Sequence, residues 1–125
     1  PAFIVDLRSR DAVAANALEF LILTAARSGE VLGAKLDEIG LEKKIWIIPA
    51  ERMKAGSEHR VPLSSRAIEI VEAMQALGRG PYLFPGPKPE APLSSMAMAM
   101  LLRRMKSDVT VHGFRSTFRD WASET

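Results

Sequence analysis

The sequence predicts an α+β fold, mostly helical with one small β-hairpin or sheet. Apolar residues recur at helical spacing over several separate segments, and one short β-branched and aromatic run, Ile45-Trp46-Ile47-Ile48, interrupts them. A Gly- and Ser-bearing stretch, Lys54-Ala55-Gly56-Ser57, then stands ahead of a second strand candidate, as a hairpin requires.

Residues 9–24 read as the first helix, with Leu18, Leu21, Ile22 and Ala25 at helical spacing and small residues suited to close packing elsewhere. The run Ala26-Arg27-Ser28-Gly29 breaks it, and Ser28 is placed to cap a second short helix through Leu36. Strands are expected over residues 44–49 and 59–63. Residues 65–77 form the next helix, with Ala67, Ile70, Val71 and Met74 as its apolar stripe and Gly78 just past its end. Residues 80–92 carry five prolines and read as a rigid irregular connection on the surface. Ser94 or Ser95 caps a further helix with Met98, Leu101, Leu102 and Met105 on one face, and a final helix begins near His112. The same period places Met96 and Met100 in the core with the other methionines, and Trp46 and Trp121 are expected there too.

A chain of 125 residues with 47% apolar and 26% charged residues is the size and composition of one compact domain. Net charge is only +2, so any electropositive surface must come from placement. The absence of cysteine excludes disulfides and thiolate metal sites and fits a reducing compartment. The longest apolar run, residues 20–26, falls far short of the roughly 20 residues a bilayer span needs, and no secretory signal opens the chain. A soluble, cytoplasmic protein with no membrane partner is the expectation. Pro1 in place of Met leads us to expect an excised or processed chain.

Four residues carry the chemistry: Arg27, Lys54, His112 and Arg115. Three cations and an imidazole, without a matching carboxylate cluster, can hold a phosphodiester in its transition state without a metal ion. Arg27 stands at a helix boundary beside Gly29, with Glu30 three residues on, where the two could pair on one helical face. Lys54 occupies the proposed hairpin tip, and a lysine suits protonation of a leaving oxygen. His112 and Arg115 form an H-x-x-R near a helix start, where backbone N–H groups favour an anion. Each also has an ordinary reading: a surface Arg–Glu pair worth about 0–1 kcal/mol, a solvated lysine, a satisfied histidine. His59 is the only other histidine and no H-E-x-x-H is present, so metal binding is not expected; nor is a serine hydrolase, for want of G-x-S-x-G.

The stretches Leu23 to Leu32, Trp46 to Lys54, Val61-Pro62-Leu63-Ser64, Tyr82-Leu83-Phe84-Pro85 and Val111-His112-Gly113-Phe114-Arg115, in that order, resemble the catalytic domain of tyrosine recombinases of the phage and prophage integrase type. The resemblance implies that Arg27 is the first catalytic arginine, Lys54 the hairpin lysine, His112 and Arg115 the H-x-x-R pair, and Glu30 the acid supporting Arg27. It implies site-specific recombination through a 3′-phosphotyrosyl link, with no cofactor. Double-stranded DNA at attachment sites and other integrase protomers of the full-length protein are the implied partners. The family carries a second histidine or tryptophan and then the nucleophilic tyrosine downstream of H-x-x-R. No tyrosine follows Arg115 here, and Trp121 is read as core, so residues 1–125 are expected to be a partial catalytic domain without a nucleophile. Tyr82, the single tyrosine, belongs to the Tyr-Leu-Phe-Pro stretch and is not expected to replace it. Leu36 stands where an aromatic residue is usual and Gly40 where an acid is common, both read as packing changes. A non-catalytic module that grips DNA phosphates, or a structural domain with four unrelated surface charges, are the other readings.

Overall fold

The computed structural model of the chain describes residues 2–10, 12–53, 56–88 and 90–105. In order these form α1 (Ala2–Arg8), α2 (Val13–Thr24), α3 (Ser28–Leu32), a 3₁₀ turn at Leu36–Glu38, β1 (Ile39–Gly40), β2 (Ile45–Ile48), a 3₁₀ turn at Ala50–Arg52, β3 (His59–Pro62), α4 (Ser65–Ala76) and α5 (Ser95–Arg104). The α+β class is the one expected. The helix expected over residues 9–24 begins only at Val13, and a helix that was not expected, α1, precedes it and packs against α2.

The middle of α2 is buried all round, with Ala15, Ala17, Leu18, Glu19, Phe20 and Leu21 all inaccessible. A helix without a polar face must be enclosed, and α1, α3, α4 and α5 pack around this one. Its one charged residue there is held by arginines from two neighbours. Glu19 accepts from Arg8 Nε on α1 at 2.8 Å and from Arg66 Nε and Nη2 on α4, both at 2.9 Å. Burial alone pushes the Glu19 carboxyl up, but the hydrogen bonds and charges of Arg66 and Arg8 outweigh it and hold the group below its ordinary value.

The strands pair antiparallel in the order β1-β2-β3, with Trp46 opposite Ile39 on one side and Val61 on the other. Alternation along β2 buries Trp46 and Ile48 and leaves Ile45 and Ile47 half-buried. A third strand, β1, joins the two expected ones, and its two residues carry too little pattern to mark it in the sequence. The β2–β3 connection is also longer than a tight turn and runs from Pro49 to Glu58 through the second 3₁₀ turn.

Trp46 meets Phe20 of α2 at 5.3 Å between ring centroids, and Phe20 meets Phe84 edge-on at 5.4 Å. Phe84 corrects the expectation of a surface connection over residues 80–92. The backbone there docks on the chain after α3, through Leu83 N–H to Ala34 O at 2.8 Å and Leu36 N–H to Pro81 O at 2.9 Å. That docking buries Leu83 and Phe84 completely. Leu36 packs against the same core.

The expected stripe of α4 is the buried one, its Ser64 hydroxyl caps it by accepting from Ala67 N–H, and Gly78 follows at φ +64°. Ser94 caps α5 in the same way. On α5 the methionines divide: Met98 is buried, whereas Met96 and Met100 are 67% and 47% exposed. The helical period puts those two on the opposite face, so the expectation of four core methionines is corrected for this pair. Trp121 and the helix expected near His112 lie outside the described residues.

Candidate functional site

Helix α2 ends on Ala25 in the left-handed region (φ 54°, ψ 28°), a conformation that costs an alanine about 1 kcal/mol and reverses the chain direction. Two residues later the backbone is extended at Arg27 (φ −84°, ψ 153°), which makes Arg27, and not Ser28, the N-cap of α3. Helix α3 ends at Leu32, before the expected Leu36, and Gly33 closes it.

Glu30 bonds to the backbone of Arg27 rather than to its side chain. Its Oε1 accepts the Arg27 N–H at 3.0 Å, the carboxylate half of a capping box. A guanidinium has no acceptor, so the reciprocal half of the box cannot form. The expected side-chain pair between Arg27 and Glu30 is therefore replaced by a cap, and among the described residues no carboxylate pairs with the Arg27 guanidinium. The Arg27 side chain is exposed. The next residue, Ser28, lines a groove of about 480 Å³ with Met96, Met98, Met100 and Arg103 of α5.

Sequence reasoning missed the group behind this helix. Glu38, 9% exposed, accepts from the Trp46 indole N–H at 3.1 Å and from Arg52 Nε and Nη2 at 3.1 and 2.9 Å. The same Arg52 Nη2 donates to the Glu30 carbonyl at 3.2 Å. Neither residue belongs to an apolar period, and their separation along the chain gave no signal of contact. Lys54, His112 and Arg115 lie outside the described residues. Among the described residues, no three His, Asp or Glu side chains gather where they could hold a metal ion, and no helix is long and apolar enough to cross a membrane.

The phage integrase family model matches residues 3–124, nearly the whole chain. The chain belongs to the phage integrase family. Prophage integrase IntZ of Escherichia coli K12 is 37% identical over 129 residues, covering 100% of this chain and 32% of that protein. The integrase of Enterobacteria phage P4 is 32% identical, covering 87% of this chain and 29% of its own length. The chain thus spans about a third of the curated relatives it matches. Among solved structures, XerA recombinase superposes with a TM-score of 0.72 at 17% identity, over 92% of this chain and 44% of that one. The Tn1549 transposon integrase, solved in complex with a circular intermediate DNA, gives 0.71 at 15% identity, over 94% and 48%. The tyrosine-recombinase fold expected from the ordered motifs is the fold observed.

Proposed function

We propose that this integrase-family chain is part of the catalytic domain of a site-specific DNA recombinase that cleaves and rejoins strands without a metal ion. Its family membership over residues 3–124 is the observation that carries the reading. The exposed guanidinium of Arg27, on a backbone fixed by Glu30 and next in sequence to Ser28, which lines a groove with Arg103, supports it. In this reading Arg27 and Arg115 bind the phosphate oxygens and offset the charge that develops on them. A tyrosine hydroxyl releases its proton to solvent as its oxygen attacks phosphorus and forms the 3′-phosphotyrosyl bond. The bond from phosphorus to the 5′-oxygen breaks, and Lys54 gives that oxygen its proton. His112 assists by hydrogen bonding or acid–base support. Attack by a 5′-hydroxyl reverses the step, so no cofactor is consumed. Double-stranded DNA at attachment sites and other protomers of the full-length integrase are the partners, and the compartment is the cytoplasm.

The nucleophile is proposed to lie outside residues 1–125, because Tyr82 is engaged elsewhere. Its backbone bridges to Lys35, whose Nζ sits 5.8 Å from the ring centroid. A nicked suicide substrate, which traps the covalent adduct, tests the reading. The 125-residue chain should give no protein–DNA adduct, and the full-length protein should give one. No adduct from the full-length protein would favour a module that only grips DNA phosphates. An adduct from residues 1–125 that is lost on Tyr82→Phe would mean that the nucleophile is misassigned.

A further inference from the structure

We propose that Arg52 is a positioning residue for cleavage: it ties the helix that opens at Arg27 to the segment that leads into Lys54. The inference rests on the recombinase reading above and assigns a role to a residue that reading does not use. Arg52 ends the 3₁₀ turn after β2, two residues ahead of Lys54 in the sequence. Its side chain is only 24% exposed and turns inward. Nε and Nη2 take both oxygens of Glu38, and Nη2 also reaches the Glu30 carbonyl on α3. Such a two-point arginine–carboxylate pair fixes direction as well as distance. Glu38 is itself anchored by the fully buried Trp46, so the fork is referenced to the core.

From that anchor two paths lead outward. One passes through Glu30, whose backbone holds Arg52 and whose carboxylate holds the Arg27 N–H. The other is the chain itself, through Met53, whose N–H donates to the Ala50 carbonyl at 3.1 Å and which Lys54 follows in the sequence. Room for the fork is built in at the end of α3, where a Cβ on Gly33 would overlap Arg52 Nη1. An arginine serving only as a surface charge needs none of these contacts. One that sets the relation between a phosphate-binding cation and a proton donor needs all of them, since small misplacements at a reacting centre are costly.

The test separates positioning of the acid from general loss of structure. A 5′-bridging sulfur in place of the scissile 5′-oxygen leaves as a thiolate and needs no proton, so defects in proton donation vanish with that substrate. Adduct formation by the full-length protein is measured on both substrates for Lys54→Ala, Arg52→Lys and the double variant Arg52→Met with Glu38→Gln. Arg52→Lys keeps a charge beside Glu38 but loses the planar fork. The double variant removes the buried pair together, which cores tolerate far better than an orphaned carboxylate, and the amide oxygen introduced by Glu38→Gln can still accept from Trp46. Both should lose at least about tenfold on the ordinary substrate, at the low end for loss of a general acid. Both should recover most of it on the sulfur substrate, as Lys54→Ala should. Equal loss on the two substrates would overturn the positioning role and leave Arg52 a structural residue. If the unsubstituted full-length protein forms no adduct on either substrate, the recombinase reading itself fails, and this role with it.

Discussion

The bond from the Arg27 N–H to Glu30 turns an expected ion pair into a helix cap, and the two have different consequences. An ion pair would have held the guanidinium to Glu30; the cap holds the backbone and leaves the side chain pointing to solvent. Glu30→Ala should therefore destabilise the fold by about 0.5–2 kcal/mol, the range for losing an N-terminal cap, with Glu30→Gln retaining much of it. Urea unfolding of the chain checks this, and identical midpoints for all three proteins would remove the cap from the account. Arg27→Ala should behave in the opposite way. Its stability effect should stay within about 0.5 kcal/mol, as for other exposed positions. In the full-length protein it should slow adduct formation by about 100- to 1,000-fold, the usual loss when one charge-stabilising donor goes. A large stability loss with no rate effect would mean that Arg27 is structural. Arg27 and Glu30 were legible because their spacing is local. Arg52 and Glu38 were not, because only the fold brings a turn after β2 against the turn before β1.

At the scale of elements, the two segments that sequence reasoning placed wrongly exchange roles. The proline-bearing stretch after α4 looked like surface and supplies Phe84 to the centre of the core; the methionines of α5 looked like core and are half outside. Phe84→Ala should cost about 3–5 kcal/mol, as removal of a fully buried ring does, whereas Met96→Ala should change stability by less than about 0.5 kcal/mol. Denaturant midpoints of the two variants decide it, and similar losses for both would contradict the assigned burial. The physical reason for the error differs in each case. Prolines deny a segment its own ladder, but nothing prevents its remaining N–H groups from bonding to a neighbouring chain segment, and here they bond to residues 34–36. Along α5, every second residue from Met96 to Met100 is a methionine, and a 3.6-residue period cannot keep such a set on one face.

For the molecule as a whole, Glu19 is the joint between α1, α2 and α4. Its carboxyl titrates below the ordinary value in the fold and near that value when unfolded. The clasp thus stabilises above the unfolded carboxylate range, and its contribution is lost as pH falls through the lowered folded value. Thermal or urea unfolding from neutral pH down to about pH 3 should show Glu19→Gln less stable at neutral pH, with the gap closing on acidification. Parallel curves would mean that the clasp carries no pH dependence. The near balance of charge bears on DNA. With a net charge of +2, the chain should bind duplex weakly, losing about 0.9 in log K per contacted phosphate for each unit of log salt. Tight, salt-insensitive binding in a fluorescence titration would contradict this.

What the sequence alone determined were the features set by neighbours in the chain. These are the helical stripe of α4, the Ser94 cap of α5, the strand character of β2 and the class to which their sum belongs. The ordered motifs also carried the family, since each is short and contiguous. Tertiary structure alone decided whether Glu30 would pair or cap, which methionines of α5 would be buried and that a proline-rich stretch would enter the core. It also decided that Arg52 would stand between Glu38 and Glu30. Periods and caps act over a few residues and are written in the chain. A buried carboxylate finds its arginines only when separate elements close on it, and no local pattern records that meeting.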